Sequence, residues 1–404
     1  MDAETLRAKE HEAMQLFSPG APIDEDALFA GRGKQIDQII EAVLQRGQHA
    51  IIYGERGVGK TSLARTFRQR LLNPVKALQA VQVNCDPADD YTSLWRKVFA
   101  DLSHEEGGVL DDFPGQISPD IVRRVLSGFD LNTTPIIVLD EFDKLADREA
   151  KALMANTIKS LSDYSVPATL ILVGVANSVD GLISEHESIS RALVQVPMPR
   201  MQAQELEEII DKRLARLGMK ITRPALAQII GLSSGLPHYT HLLGLYSVRR
   251  ALNAGKLLID ETHVDEAERL CLEKVDASLT SQYNRATQSH RSGNIYKEVL
   301  LACALAEPDE RGYFPAKAVE FPLSTIMRKP YTTEMFGQHL KKLNTADRGE
   351  VLEVDGTPRR FRYRFEEPLM QPYVILRGLK DGLLDKATMK RLMPNYLQPR
   401  LSSL

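Results

Sequence analysis

The stretch IIYGERGVGKTSLARTF, Ile51 to Phe67, decides how the rest of this 404-residue chain is read. Ile51, Ile52 and Tyr53, with Ala50 before them, form an apolar run without alternation, the pattern of a strand buried on both faces of a parallel sheet. Gly54-Glu55-Arg56-Gly57-Val58-Gly59-Lys60-Thr61 then fills every required position of G-x-x-x-x-G-K-[ST]. The glycines let the backbone turn so that successive N–H groups converge on phosphate oxygens. Lys60 is the cation for the β- and γ-phosphates, and the Thr61 hydroxyl is a magnesium ligand. From Ser62 onward the periodicity is helical, so the positive end of a helix also faces the phosphates. The stretch is read as a P-loop, with Gly54 to Ser62 as the expected nucleotide-binding residues.

A P-loop needs a carboxylate on a neighbouring strand, and TPIIVLDEFDKL provides one. The apolar run Ile136 to Leu139 ends in Asp140, expected to hold magnesium, and Glu141, expected to act as general base on the attacking water. A further buried run, Thr169 to Val175, leads to Asn177, whose amide could bond both the γ-phosphate and that water. Arg191 is expected on a short helical stretch ahead of a strand, Leu193 to Val196. From there it would point across a subunit interface at a neighbour's γ-phosphate.

Composition sets the frame. The chain is 43% hydrophobic and 26% charged, which suits a globular protein of two or three domains. No apolar run approaches the roughly 20 residues that span a bilayer. The N-terminal MDAETLRAKEHEAMQLF has no apolar signal-peptide core, and a cytoplasmic location is expected. Cys85, Cys271 and Cys303 lack metal-ligand spacing and read as reduced, buried small hydrophobes. Residues 285–404 carry twenty Lys/Arg against fourteen Asp/Glu, whereas residues 1–284 carry 31 against 40. That asymmetry permits nucleic-acid contact by the C-terminal part. No nuclease, protease or kinase constellation is evident, so effector chemistry would lie in a partner.

With these motifs in place, residues 16–272 resemble the AAA+ ATPases, and within them the origin-recognition-like initiator clade. LFAGRGKQIDQIIEAV resembles that clade's lead-in, where Phe29, Gly31 and Arg32 would lie near the adenine. VQVNCDPADDYTSLWRKVF resembles its second strand and following helix. The resemblance implies ATP and Mg2+ as cofactors, ATPase activity, homo-oligomers, and a nucleotide bound between an α/β domain and an all-α lid. Three amphipathic patterns between residues 202 and 272 suit such a lid. At the third, Gly235-Leu236-Pro237-His238 places His238 where the clade has an arginine that reads the γ-phosphate. This is closer to the G-x-P signature of signalling and transposition-type relatives, and a histidine is the weaker phosphate partner at neutral pH. Slow or partner-stimulated hydrolysis is expected.

In the C-terminal third, helical NIYKEVLLACALA, a turn-rich segment, helical TTEMFGQHLKKLNTA and a hairpin in EVLEVDGTPRRFRYRF follow one another. This order is that of a winged helix, with which initiator-like AAA+ proteins often end. The hairpin is expected to close around Asp355-Gly356, with Phe361, Tyr363 and Phe365 inward and Arg360, Arg362 and Arg364 outward. Such an arginine face could touch the phosphates of double-stranded DNA. Alternatively it is a solvated strand face, and the domain grips a protein effector in a defence or transposition system. The expected division is an α/β P-loop (AAA+) domain, 1–200, with a parallel sheet flanked by helices, a lid, 201–276, and a linker with winged helix, 277–404.

Overall fold

The computed structural model describes residues 3–20, 26–72, 79–106, 115–129, 134–176, 179, 182–183, 189–274, 276–289, 293–309, 311–357 and 360–393. By compactness the chain groups into two units: Pro22–Glu55 with Gly59–Pro199, and Met1–Ala21 with Arg56–Val58 and Arg200–Leu404.

The chain opens with α1 (Ala3–Leu16), which belongs to the second unit. The first unit then runs α2 (Gly33–Leu44), β1 (His49–Gly54), α3 (Lys60–Leu72), β2 (Gln79–Asn84), α4 (Tyr91–Glu106), α5 (Pro119–Leu126), β3 (Pro135–Asp140), α6 (Arg148–Asp163), β4 (Thr169–Val175) and β5 (Leu193–Pro197). All five strands are parallel, in the order β2-β3-β4-β1-β5. The apolar runs become these strands because a parallel sheet covered by helices buries both faces, and β3 is buried at every position. Trp95 and Phe99 of α4 and Phe142 after β3 pack in the core on one side of the sheet. The carboxyl ends of β1, β3 and β4 lie side by side at one edge, where ligands bind in open α/β sheets.

The second unit adds α7 (Ala203–Leu217), α8 (Arg223–Ser233), α9 (Pro237–Asn253) and α10 (Glu261–Lys274). A two-residue parallel pair, Lys220–Ile221 (β6) with Leu258–Ile259 (β7), ties them together. Helix α1 packs here through a buried arginine. The Nε of Arg213, 1% exposed, donates to the Leu16 carbonyl at the end of α1 at 2.8 Å, and its Nη1 donates to Ile209 O at 3.0 Å. The Lys9 ammonium donates to the Leu217 carbonyl at 2.6 Å.

The chain continues through α11 (Ala277–Thr287), α12 (Tyr296–Leu305), β8 (Phe314–Pro315), α13 (Glu320–Met327), α14 (Thr333–Leu343), β9 (Leu352–Asp355), β10 (Arg362–Phe365), α15 (Met370–Lys380) and α16 (Lys386–Leu392). β10 lies between β8 and β9, antiparallel to both. The hairpin differs from the expected one in its loop. Asp355 pairs with Arg362 as the last residue of β9, and Gly356 opens the connection to β10. Tyr363 and Phe365 point inward, 5% and 4% exposed, whereas Phe361 stands in the loop, half-buried.

Candidate nucleotide site

The P-loop is shaped by its glycines. Gly57 and Gly59 have φ of 83° and 94°, in the left-handed region that L side chains resist. Gly54 allows a close approach, since a Cβ there would stand 2.4 Å from the Met198 carbonyl oxygen. Helix α3 starts at Lys60, whose ammonium folds back to donate to the carbonyls of Gly54 at 3.1 Å and Glu55 at 2.8 Å. Val58 is buried and Ser62 half-buried. Arg56 is exposed, and its guanidinium pairs with Glu367 at 2.9 Å within the second unit.

Asp140 ends β3, 3% exposed. Its carboxylate accepts from the Glu141 N–H at 2.8 Å, from Gln82 Nε2 at 3.1 Å, and from the Thr61 hydroxyl. Burial pushes its pKa up, and the Glu141 N–H, the Thr61 hydroxyl and the Lys60 charge oppose that push. Thr61 and Asp140, from opposite ends of the motif pattern, thus form one oxygen pair beside a lysine. That is the donor set of a hard divalent cation with phosphate ligands. Gln82 was not singled out by its own sequence context. It lies on β2 directly opposite Val138, so only the strand pairing brings it to Asp140.

Glu141 adopts φ 56° and ψ 35°, a left-handed conformation that costs a non-glycine residue roughly 1–3 kcal/mol and gathers at functional sites. Its carboxylate is half-exposed and pairs with Lys144 Nζ at 2.8 Å. Cys85 follows β2, its N–H bonded to the Asp140 carbonyl at 2.8 Å. Burial first, then the nearby Asp89, Asp140 and Asp143 carboxylates, pushes its thiol up to about 12, so it stays protonated.

The remaining predicted residues are scattered. Asn177 lies outside the described residues. Arg191 is exposed in a turn ahead of β5 rather than on a helix, and its carbonyl accepts from Gln48 Nε2 at 2.9 Å. Arg32 is buried with φ 65° at the start of α2, and its guanidinium donates to the Pro199 carbonyl at 2.7 Å. His238 belongs to the second unit, in the first turn of α9. Its Nδ1–H donates to the Pro19 carbonyl at 2.7 Å, and burial lowers its pKa, which keeps the ring neutral.

The three hairpin arginines do not form one free basic face. Arg360 is exposed in the loop. Arg362 pairs with Asp355 at 2.6 Å and Asp309 at 3.1 Å, and Arg364 Nε donates to Glu353 at 2.7 Å. Both guanidinium groups also lie over the Tyr313 ring, at 5.2 and 4.8 Å from its centroid. The register explains this, because Asp355 and Glu353 stand directly across from Arg362 and Arg364. The signal was present in the sequence, in the E-x-D of one strand and the R-x-R of the next. Among the described residues no group of three or more His, Cys, Asp or Glu side chains could hold a metal ion by themselves, and no helix is long and apolar enough to cross a membrane.

Comparison with known proteins agrees with this geometry. Residues 43–183 match the AAA domain family. The ORC1-type DNA replication protein 2 of Thermoplasma acidophilum is 25% identical over 196 residues, 47% of this chain and 48% of the relative. The ORC1-type DNA replication protein of Thermoplasma volcanium is 26% identical over 199 residues, again 47% and 48%. The chain spans about half the length of the curated relatives it matches. Among solved structures, a Walker-type ATPase of Pyrococcus abyssi has a TM-score of 0.54 at 15% identity, covering 89% of this chain and 99% of that one. That likeness concerns the fold alone, a five-stranded parallel sheet flanked by helices with a P-loop after its first strand.

Proposed function

We propose that the chain binds and hydrolyses ATP and uses its nucleotide state to control self-assembly on DNA. The observation that carries this reading is the convergence of Lys60, Thr61, Asp140 and Glu141 at the carboxyl edge of one parallel sheet. Lys60 would bind the β- and γ-phosphates in the glycine cradle, and Thr61 with Asp140 would hold the metal. A bound magnesium ion supplies charge neutralisation and orientation of the phosphoryl group. Glu141 would take a proton from the attacking water, for which its carboxylate must leave Lys144. Asn177 would orient that water. Arg32 would lie near the base. A neutral His238 in place of a cationic reader accords with slow or partner-stimulated turnover.

The division into 1–200, 201–276 and 277–404, with a winged helix in the last, is part of the proposal. Its support is the order α12, β8, α13, α14, β9, β10 and the three-stranded antiparallel sheet. The DNA-replication names of the two relatives favour duplex DNA as the partner. A second reading, in which the same domain grips a protein effector, draws support from the internal pairing of Arg362 and Arg364. Exposed Phe321 on α13 and Met335 on α14, 62% and 54% exposed, point the same way.

The test is Glu141→Gln, which keeps the shape and removes the base. ATP affinity by calorimetry should match wild type, while phosphate release falls by roughly 10²–10⁴-fold. Unchanged release would sink the role of Glu141 and, with it, this mechanism.

A further inference from the structure

Glu141 sits at the start of a turn that the Asp143 side chain anchors to the end of β4. β3 and β4 pair only as far as Leu139 opposite Leu172, and β4 then runs on through Val173, Gly174 and Val175. Beyond that point β3 is no longer there to bond with it, because the chain has turned away at Glu141 with φ 56°. Asp143 takes up the exposed edge. Its carboxylate Oδ1 accepts from the Val175 N–H at 2.7 Å. Gly174 permits the approach, since a Cβ there would meet Asp143 Oδ1 at 3.0 Å, the Asp143 nitrogen at 3.1 Å and Leu182 Cδ2 at 2.6 Å. On its other side Val175 is in register with Gly54, the first residue of the P-loop.

We infer that Asp143 is a positioning residue for Glu141, fixing the left-handed turn to the end of β4 and so to the P-loop. This rests on the ATPase reading of the same site. The turn is held at one end by Asp140 Oδ1 on the Glu141 N–H and closed within by Lys144 N–H to Glu141 O at 2.9 Å. Besides the Asp143 bond, the turn is held by packing, since Phe142 and Leu145 are buried in the same core as Leu170 and Leu172 of β4. Packing of a ring limits where the turn sits but not its rotation about the ring. A carboxylate-to-amide bond is directional and charge-assisted, which makes it suited to set the angle at which Glu141 leaves the sheet. Asp143 touches neither phosphate ligands nor the predicted metal ligands, so its loss should leave nucleotide binding alone.

The experiment uses full-length chain with Asp143→Ala, Asp143→Asn and Asp143→Glu. Asn keeps an acceptor oxygen at the same reach, while Glu keeps the charge and moves it one methylene along. Ala and Glu should lower kcat by roughly 10–100-fold with ADP affinity and KM near wild type, and Asn should restore most of the loss. In hydrogen exchange, the Val175 amide should exchange roughly tenfold or more faster in Ala and Glu but not in Asn. If turnover is lost in Glu141→Gln yet untouched in Ala and Glu, this inference fails and the ATPase reading stands. A fall in ADP affinity equal to the fall in kcat would make Asp143 a plain structural residue and also overturn it. Should wild type itself show no turnover, both the reading and the inference fall, whatever Val175 does.

Discussion

Glu268 on α10 is 9% exposed and accepts from Gln228 Nε2, which also donates to Asp265 at 2.7 Å; Lys386 completes the group by pairing with Asp265. Burial outweighs the opposing Gln228 bond and the Arg269 charge, and lifts its pKa from 4.5 to about 7. The folded state therefore holds a proton that the unfolded chain releases, and between about pH 4.5 and 7 the contribution of Glu268 to stability should fall as pH rises. The full effect is on the order of 3 kcal/mol. Glu268→Gln keeps the acceptor for Gln228 and removes this titration, so the stability of wild type relative to the mutant should fall as pH rises through that window. Urea denaturation at several pH values checks it, and an equal decline in both proteins would refute the assignment. At this scale the sequence was readable for the P-loop because each motif position has one chemical task. Glu268, Gln82 and Asp143 lacked that advantage, since their roles come from partners that only the fold brings near.

At the scale of elements, β1, β3 and β4 were legible as apolar runs, since a two-sided buried strand leaves few polar positions to blur its ends, whereas β5, an edge strand with Gln195 exposed, was legible only as the short run Leu193 to Val196. The C-terminal hairpin was legible as alternation but not in register. Alternation says that Arg362 and Arg364 share a face; it does not say what stands across from them. With Asp355 and Glu353 opposite, these arginines are charge-balanced before any partner arrives, whereas Arg360 lies exposed in the loop. The DNA reading thus shifts to Arg360 with Lys341 and Lys342 at the end of α14. Replacing those three by Ala should weaken duplex binding regardless of sequence and flatten the plot of log affinity against log salt by roughly 0.9 per lost phosphate contact. Arg362→Ala with Arg364→Ala should lower the melting temperature instead and leave that slope unchanged. Equal slopes for wild type and the Arg360/Lys341/Lys342 variant would favour the protein-partner reading.

At the scale of the whole molecule, the grouping of Met1–Ala21 with Arg200–Leu404 was not legible, because periodicity tells that a helix face is buried without telling against what. The parallel sheet, by contrast, has a consequence for assembly that begins with Arg191. Leu193 is in register with His49, the first residue of β1, while the P-loop begins at Gly54, the last. Five residues of strand separate those levels, or about 17 Å. Arg191 precedes Leu193, so its backbone lies at the opposite edge of the sheet from the P-loop of its own chain, beside the edge strand β5. An extended arginine spans well under that distance and cannot serve its own phosphates in cis. If Arg191 contributes to hydrolysis, it must do so in a second copy of the chain. Arg191→Ala should then keep ATP affinity and lose most turnover. Mixing it with Glu141→Gln protein should recover part of the activity, because some interfaces pair an intact Arg191 with an intact Glu141. The recovered rate should rise with total protein concentration, as a bimolecular encounter requires. Cross-linking to verify mixed assemblies, followed by phosphate release, measures it. Mixed assemblies without recovery would leave Arg191 as a surface residue and remove the strongest reason to expect a shared active site.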